Sequence, residues 1–174
     1  MKKLFDVSLR ASVFASMLGL AACGAERQAT TTLESRSGSS TTGTADFQEE
    51  DDQVMLMLVV SGATPGKHGA HIHETGDCSA ADASSAGAHW NPTAKSHGPS
   101  DADHHLGDLG NIEIAQNGKG TLTLSKTAWK IGDGSANDLV GKAVVIHMGE
   151  DDLVTDPAGN SGSRVACGVI TRSE

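Results

Sequence analysis

Short apolar or alternating segments separated by glycine-rich turns run along most of this chain, and the 3.6-residue period of an amphipathic helix is absent. The apolar run at 54–60 has the length of a buried strand and ends at a Ser-Gly pair. Apolar and polar residues alternate at 112–114 and at 122–124, and the hairpin signal Asn117-Gly118 lies between them. We expect two further strands at 143–147 and 164–170. The pattern predicts an all-β fold, an antiparallel sandwich or barrel.

Two kinds of segment fall outside this strand pattern. The Thr/Ser-rich stretch after residue 28 is either a continuation of a tether or a pair of edge strands, at 30–33 and 41–47, with a turn at Gly38. The segments 74–110 and 148–163 are long and irregular. Because long loops in a compact domain are usually functional, these two are expected to carry the functional residues.

The N-terminus has the composition of a secretory signal. Three basic residues precede an apolar run at 11–22, which is too short to span a bilayer as a helix. Residues 20–23, Leu-Ala-Ala-Cys, resemble the lipobox of bacterial lipoproteins, whose cysteine is lipidated and becomes the new N-terminus. Ordinary cleavage one or two residues earlier, which would leave Cys23 as a free thiol, is the alternative.

With lipidation at Cys23, the chain divides into a lipoprotein signal peptide at 1–22, a short tether at 23–28 and a domain at 29–174. The whole chain has a net charge of −9, and the signal peptide holds three basic residues and one acidic residue, so its removal leaves −11. A chain this acidic is not expected to bind nucleic acid.

Few large aromatic residues and few cysteines remain after the signal peptide. The aromatic ones are Phe47, Trp90 and Trp129, so the core is predicted to be aliphatic. Cys78 and Cys167 remain as an even pair once Cys23 is used as an anchor. In an oxidising compartment this is the usual condition for a disulfide.

Histidines form the main chemical signal. Seven of the eight lie within residues 68–105, and the eighth, His147, ends an apolar strand. In the segment 71–73, His-Ile-His, the strand period of two places both imidazoles on one face and turns Ile72 into the core. His89, His97 and His105 follow at intervals of eight, with Asp108 in a turn three residues later. A mixed imidazole and carboxylate set suits zinc, and an all-imidazole set suits copper.

The chain resembles copper/zinc superoxide dismutases of the bacterial envelope type. The resemblance covers essentially all of residues 29–172 and rests on motifs that occur in the family's order. They are HGAHIHE at 68–74, GDC at 76–78, GAHWNP at 87–92, HG at 97–98, HLGDLGN at 105–111, VVIH at 144–147, DDL at 151–153 and GNSGSRVACGVI at 159–170. The resemblance implies a Greek-key antiparallel β-sandwich or flattened barrel with two long functional loops.

The resemblance also implies two metal sites. Copper would be bound by His71, His73, His89 and His147. Zinc would be bound by His89, His97, His105 and Asp108. His89 would then bridge both metals as an imidazolate, because two cations replace both of its protons.

The reaction that the resemblance implies is dismutation of superoxide to dioxygen and hydrogen peroxide by an enzyme that protects the cell envelope. Arg164 matches the family's active-site arginine, and His89 would take up a proton as it releases copper. Asp151 matches a carboxylate that links a copper-binding histidine to a zinc-binding one and fixes their orientation. His68 matches a structural position that supports the copper site through a backbone contact, and His104 is expected to be exposed.

Three departures from the family pattern matter. The interval from His97 to His105 is one residue shorter than usual, so His104 is an alternative to His105 in the zinc site. The segment between Asp152 and Arg164 is short and lacks the lysine of eukaryotic members, which makes anion attraction depend more on Arg164. Ala70 stands where the family often has an aromatic residue.

Three other functions are compatible with parts of the sequence: a copper-buffering lipoprotein on the same fold, a zinc hydrolase, and a copper-only dismutase. A zinc hydrolase needs three ligands and a water molecule, and this chain offers more ligands than that. A storage site needs neither Arg164 nor Asp151. The expected location is the bacterial cell envelope, with the lipid-anchored domain facing the periplasm or the exterior, and with a possible homodimer.

Overall fold

The computed structural model of the chain describes residues 27–100 and 103–173. The predicted signal peptide, Cys23 and most of the predicted tether at 23–28 lie outside these residues. Within them, no helix is long and apolar enough to cross a membrane. The strands are β1 (Gln28–Ser35), β2 (Thr42–Glu50), β3 (Gln53–Ser61), β4 (Gly66–His73), β5 (Asp108–Ile114), β6 (Lys119–Lys126), β7 (Ala143–His147), β8 (Arg164–Val169) and β9 (Thr171–Arg172).

The strands form one antiparallel sheet that curls into a nearly closed, flattened barrel. Their order is β5-β4-β7-β8-β1-β2-β3-β6, and β9 adds to β1. The two ends of this path are joined at the predicted Asn117-Gly118 turn, where the Ala115 N–H donates to the Lys119 carbonyl at 2.9 Å. Neighbours such as β4 and β7 are distant in sequence, which gives Greek-key connections. The all-β prediction is confirmed.

Some details of the strand prediction are wrong. The segments 30–33 and 41–47 are strands rather than a tether, but they are not edges. β1 pairs with β2 on one side and with β8 and β9 on the other, and β2 lies between β1 and β3. The Asn117-Gly118 turn forms, yet the flanking strands β5 and β6 hydrogen-bond to β4 and β3 respectively. Asp108 begins strand β5 and does not lie in a turn.

The barrel interior is mainly aliphatic, as predicted, and the aromatic residues Phe47, Trp90 and Trp129 all lie buried in it. Phe47 and Trp129 pack edge to face, with ring centroids 6.1 Å apart. Strand β3 is buried on one face only, because Met55 and Met57 are 40% and 51% exposed on the other.

Strand β7 is buried on both faces, and this places the histidines. Val144 and Ile146 point into the barrel core, whereas Val145 lies outside it in a second apolar cluster with Ala86 and Cys167. The Cys78–Cys167 disulfide, with its Cα atoms 5.8 Å apart, ties the loop at 74–107 to β8 and covers this outer face. The predicted disulfide is confirmed, and the long loops close over the outside of the barrel.

Candidate metal centre

Strand β4 presents two imidazoles on the outer face of the barrel. Ile72 is fully buried in the barrel core, and His71 and His73 point the other way, as the strand period requires. His147 ends β7, which pairs with β4, and its ring centroid lies 4.9 Å from that of His71. The loop at 74–107 adds His89, whose ring centroid is 3.9 Å from that of His71.

These residues form what we call the first cluster: His71, His73, His89 and His147. All four are buried, and one ligating nitrogen from each lies within 4.8 Å of the others. His73 Nδ1 lies 3.0 Å from the Gly87 carbonyl oxygen, so this nitrogen is the donor and Nε2 carries the lone pair. His147 is fixed in the same way by the Gly162 carbonyl at 3.0 Å.

The remaining nitrogens of the first cluster are buried without a hydrogen-bond partner among the described residues. These atoms are His71 Nδ1, His73 Nε2, His89 Nε2 and His147 Nε2. Leaving one such buried polar atom unsatisfied costs about 1 to 3 kcal/mol. Four of them facing a common point fit a cation that all four lone pairs bind, and an all-imidazole set suits copper.

The second cluster consists of His89, His97, His105 and Asp108. The Nδ1 atoms of the three histidines lie 3.0, 3.1 and 3.3 Å from Asp108 Oδ1. In a tetrahedral zinc site with bonds of about 2.0 Å, neighbouring ligand atoms are about 3.3 Å apart. Each imidazole lies at this spacing from Asp108, and a set of imidazoles with one carboxylate suits zinc. The ligand atoms that all lie within 4.8 Å of one another are those of His71, His89, His97 and Asp108, and His105 is not among them.

The shortened loop places His105, and not His104, beside Asp108. His104 is half-buried, and its Nδ1 lies 3.1 Å from the Ser96 carbonyl oxygen. His71 is also within reach of the second cluster, but its Nε2 is already bonded to Asp151 at 2.7 Å. His71 Nδ1 faces the first cluster, so His71 belongs there.

Asp151 connects the two clusters from outside. Its Oδ2 lies 2.7 Å from His71 Nε2, and its Oδ1 lies 2.9 Å from His97 Nε2. Burial alone raises the pKa of this carboxyl group, but the bonds to the two histidines outweigh it and lower the pKa to about 2. Asp151 is thus an ionised acceptor that orients one ring of each cluster.

Two residues to which the sequence analysis gave no role hold Asp151 in place. The Asn111 side chain binds both backbone polar groups of Asp151, donating to its carbonyl and accepting from its N–H, each at 2.8 Å. Gly159 has a φ of +60°, and a Cβ at this position would overlap Asp151 Oδ1. Both residues lie within the motifs that carry the resemblance, but their roles depend on a contact between distant segments.

Arg164 and His68 lie close to the first cluster. The Arg164 guanidinium donates to the carbonyls of Ala83 and Gly87, each at 2.7 Å, and Gly87 also accepts from His73. His68 Nδ1 lies 2.8 Å from the carbonyl oxygen of His147. The structure therefore brings Arg164, His68 and the predicted metal-binding histidines close together.

Burial keeps three histidines of the first cluster uncharged. It lowers the pKa of His73 to about 2, of His147 to about 3 and of His89 to about 4. At neutral pH these imidazoles are uncharged, which is the form that binds metals.

The metal-free protein is expected to lose stability as the pH falls from about 6.5 to about 4. In the unfolded chain these histidines bind protons near pH 6.5, and in the folded state they do not, so the unfolded state takes up more protons in this window. Each group contributes up to about 1.4 kcal/mol per pH unit. His97 affects the free energy of unfolding in the opposite direction. Burial lowers its pKa, but the bonds to Asp151 and Asp108 outweigh burial and raise the pKa overall. The stability that protonated His97 contributes is therefore lost as the pH rises above about 6.5.

Urea denaturation of the metal-free protein at several pH values measures this slope. The His73→Gln variant is expected to reduce the slope, and the His104→Gln variant, which removes a histidine outside both clusters, is expected to keep it. A free energy of unfolding that is constant between pH 7 and pH 4 would contradict the prediction.

An all-β barrel with two adjacent, histidine-rich clusters on its outer face defines a class of metal-binding β-barrel proteins. The family description "copper/zinc superoxide dismutase" matches residues 41–170 of this chain. The chain belongs to the copper/zinc superoxide dismutase family.

Individual relatives support the same assignment. The chain is 38% identical over 146 residues to "Superoxide dismutase [Cu-Zn] 5" of Dictyostelium discoideum, covering 79% of this chain and 94% of the relative. It is 39% identical over 134 residues to the "Copper chaperone for superoxide dismutase" of Rattus norvegicus, covering 73% of this chain but only 47% of the chaperone. A crystal structure of the clock protein EA4 matches with a TM-score of 0.73 and 33% identity, covering 83% of this chain and 93% of that one.

Proposed function

We propose that the protein is an enzyme that dismutes superoxide to dioxygen and hydrogen peroxide, with copper held by the first cluster and zinc by the second. The observation that carries the proposal is the position of His89. Its Nδ1 lies 3.0 Å from Asp108 Oδ1 in the second cluster, and its Nε2 is an unsatisfied atom of the first cluster. One imidazole therefore faces both sites, as a bridge between copper and zinc requires.

When bound, copper would exchange electrons with superoxide. Zinc would supply a positive charge and would not change its own oxidation state. His89 Nε2 has no hydrogen-bond partner among the described residues, so it would be able to hold a proton whenever it does not bind a metal. Asp151 keeps the rings of His71 and His97, which lie next to His89, in a fixed orientation.

Arg164 would attract and orient the anionic substrate. The chain carries a net charge of −9, so the average field repels superoxide. The Arg164 guanidinium is fixed beside the first cluster by two carbonyl groups that do not neutralise it. A fixed cation at this point raises the local concentration of a small anion.

The Arg164→Ala variant is expected to dismute superoxide about tenfold more slowly at low ionic strength, with a smaller difference at high salt. Pulse radiolysis measures the rate, and metal analysis of the same sample is expected to give about one copper and one zinc per chain. Arg172→Ala, which removes an exposed cation from β9, is the matched control and is expected to leave the rate unchanged.

A copper-buffering or copper-donating role is the second candidate, and the similarity to copper chaperones for superoxide dismutase favours it. The first cluster would serve either role. A sample with a full copper load and no dismutation under pulse radiolysis would support copper handling and overturn the enzyme. Full activity without zinc would instead favour a copper-only dismutase.

We also propose that the protein acts in the bacterial cell envelope as a lipoprotein, with lipid on Cys23 and with superoxide as its substrate there. The lipobox-like sequence at 20–23 supports the anchor, and the disulfide supports an oxidising compartment. A homodimer remains part of this proposal.

A further inference from the structure

The position of the Arg164 guanidinium depends on the loop that accepts its hydrogen bonds. Both acceptors, the carbonyls of Ala83 and Gly87, flank the short 3₁₀ turn Ser84–Ala86 in the loop at 74–107. If this loop shifts relative to β8, the guanidinium loses one or both acceptors. The guanidinium therefore keeps its place only if the distance between the loop at 74–107 and strand β8 stays constant.

A second arginine holds the beginning of this loop. Arg36 follows β1, and its Nε donates to the carbonyl of Cys78 at 2.9 Å. Its side chain is only 16% exposed, and its Nη1 donates to the Ser35 carbonyl at 2.8 Å. The next residue, Ser37, donates its backbone N–H to the Ala81 carbonyl at 2.8 Å. These bonds fix the beginning of the loop.

The same turn holds the strand that carries Arg164. Ser37 Oγ donates to the carbonyl of Arg164 at 2.8 Å, and the Arg36 N–H donates to the carbonyl of Val165 at 2.8 Å. Ser39 Oγ also donates to the Val165 carbonyl, at 2.6 Å. Residues 36–39, which we call the Arg36 turn, therefore bind both the loop and the backbone of Arg164.

We propose that Arg36 is a positioning residue for Arg164 and that the Arg36 turn sets the place of the anion-attracting guanidinium. The disulfide joins the loop to β8 covalently through Cys78, and Arg36 restrains the orientation of the loop by binding the carbonyl of the same residue. The disulfide alone would let the loop rotate about the cross-link, and the additional hydrogen bonds prevent this rotation. This inference rests on the proposed function for the copper in the first cluster and for the identity of the anion.

Anion affinity tests the proposal without depending on turnover. The protein is loaded with copper and zinc, and azide binding is followed by the visible absorption of the copper complex. Arg36→Gln is expected to weaken azide binding about fivefold, because the variant loses one hydrogen bond that positions the loop. Arg36→Lys, which keeps a donor near the Cys78 carbonyl, is expected to restore part of the affinity. Arg27→Gln is the matched control, because Arg27, like Arg36, forms an ion pair with a glutamate but lies at the opposite end of β1.

A double-mutant cycle separates positioning from general stabilisation. In an Arg164→Gln background, Arg36→Gln is expected to have no further effect on azide binding, because the group that it positions is gone. Ser37→Ala, at an exposed site, is a second variant that loosens the turn without removing a charge. Its azide affinity is expected to fall in the same direction.

Three results would overturn the proposal. The first is an Arg36→Gln variant with full metal content and unchanged azide affinity. The second is a loss of azide affinity on Arg36→Gln that is equal with and without Arg164. The third is a loss of copper that parallels the loss of azide affinity in both Arg36→Gln and Ser37→Ala. A wild-type protein that binds azide at copper but does not dismute superoxide would refute the proposed function and leave this cycle valid.

Discussion

Replacing Cys78 with serine is expected to lower the free energy of unfolding by about 3 to 4 kcal/mol. The disulfide spans 89 residues of sequence, so it removes a large loop entropy from the unfolded chain. It also joins the second apolar cluster, where Cys167 is buried against Val145 and Ala86. Urea denaturation of the metal-free protein measures the loss without a contribution from metal binding.

The matched variants make this prediction sharp. Cys167→Ser and the double variant are expected to lose about as much stability as Cys78→Ser, because all three break the same bond. Ser79→Ala, next to Cys78 in the loop, is the control and is expected to unfold like the wild type. A double variant with clearly additive losses would mean that the thiols contribute separately and that the cross-link does not.

Asp108→Ala is expected to weaken zinc binding by at least about 100-fold, since loss of an outer partner alone costs 10- to 100-fold. Its Oδ1 atom lies within 3.3 Å of three histidine Nδ1 atoms, so it completes the second cluster. Its Oδ2 accepts from the N–H groups of Gly98 and His105, which shape the shortened loop. Competition with a chelator measures the zinc affinity.

Copper binding separates the two clusters in this experiment. The first cluster does not include Asp108, so copper content is expected to fall much less than zinc content. Asp133→Ala, which removes a carboxylate from an exposed turn, is the control. Wild-type zinc affinity in Asp108→Ala would show that His89, His97 and His105 hold zinc without this carboxylate.

Local patterns predicted most strands because each depends on a few neighbouring residues. The alternation at 112–114 and the apolar stripe at 143–147 need only the strand period, and both lie in strands as predicted. Whether β1 and β2 lie at the edge or inside the sheet could not be predicted from such local patterns. The neighbours of β1 include Ala166 and Cys167, whose place beside Glu34 and Ser35 depends on closure of the whole barrel.

The candidate site shows the same division. His71 and His73 are placed on one face by a period of two, and the strand that carries them was enough to predict this. The clamp that Asn111 forms on Asp151, and the contact between Arg36 and Cys78, each join residues about 40 positions apart. Such contacts have no local pattern, since an asparagine or an arginine near a turn is usually just solvated.

The exposed methionines bear on how this protein would survive the peroxide that it is proposed to release. Within the described residues, each of Met55, Met57 and Met148 is 40% to 55% exposed, and the buried core holds none. Oxidation of methionine to its sulfoxide adds a polar oxygen, which is disruptive inside a core but harmless in contact with water. The thioethers would thus consume oxidant at the surface while the aliphatic barrel beneath them keeps its packing.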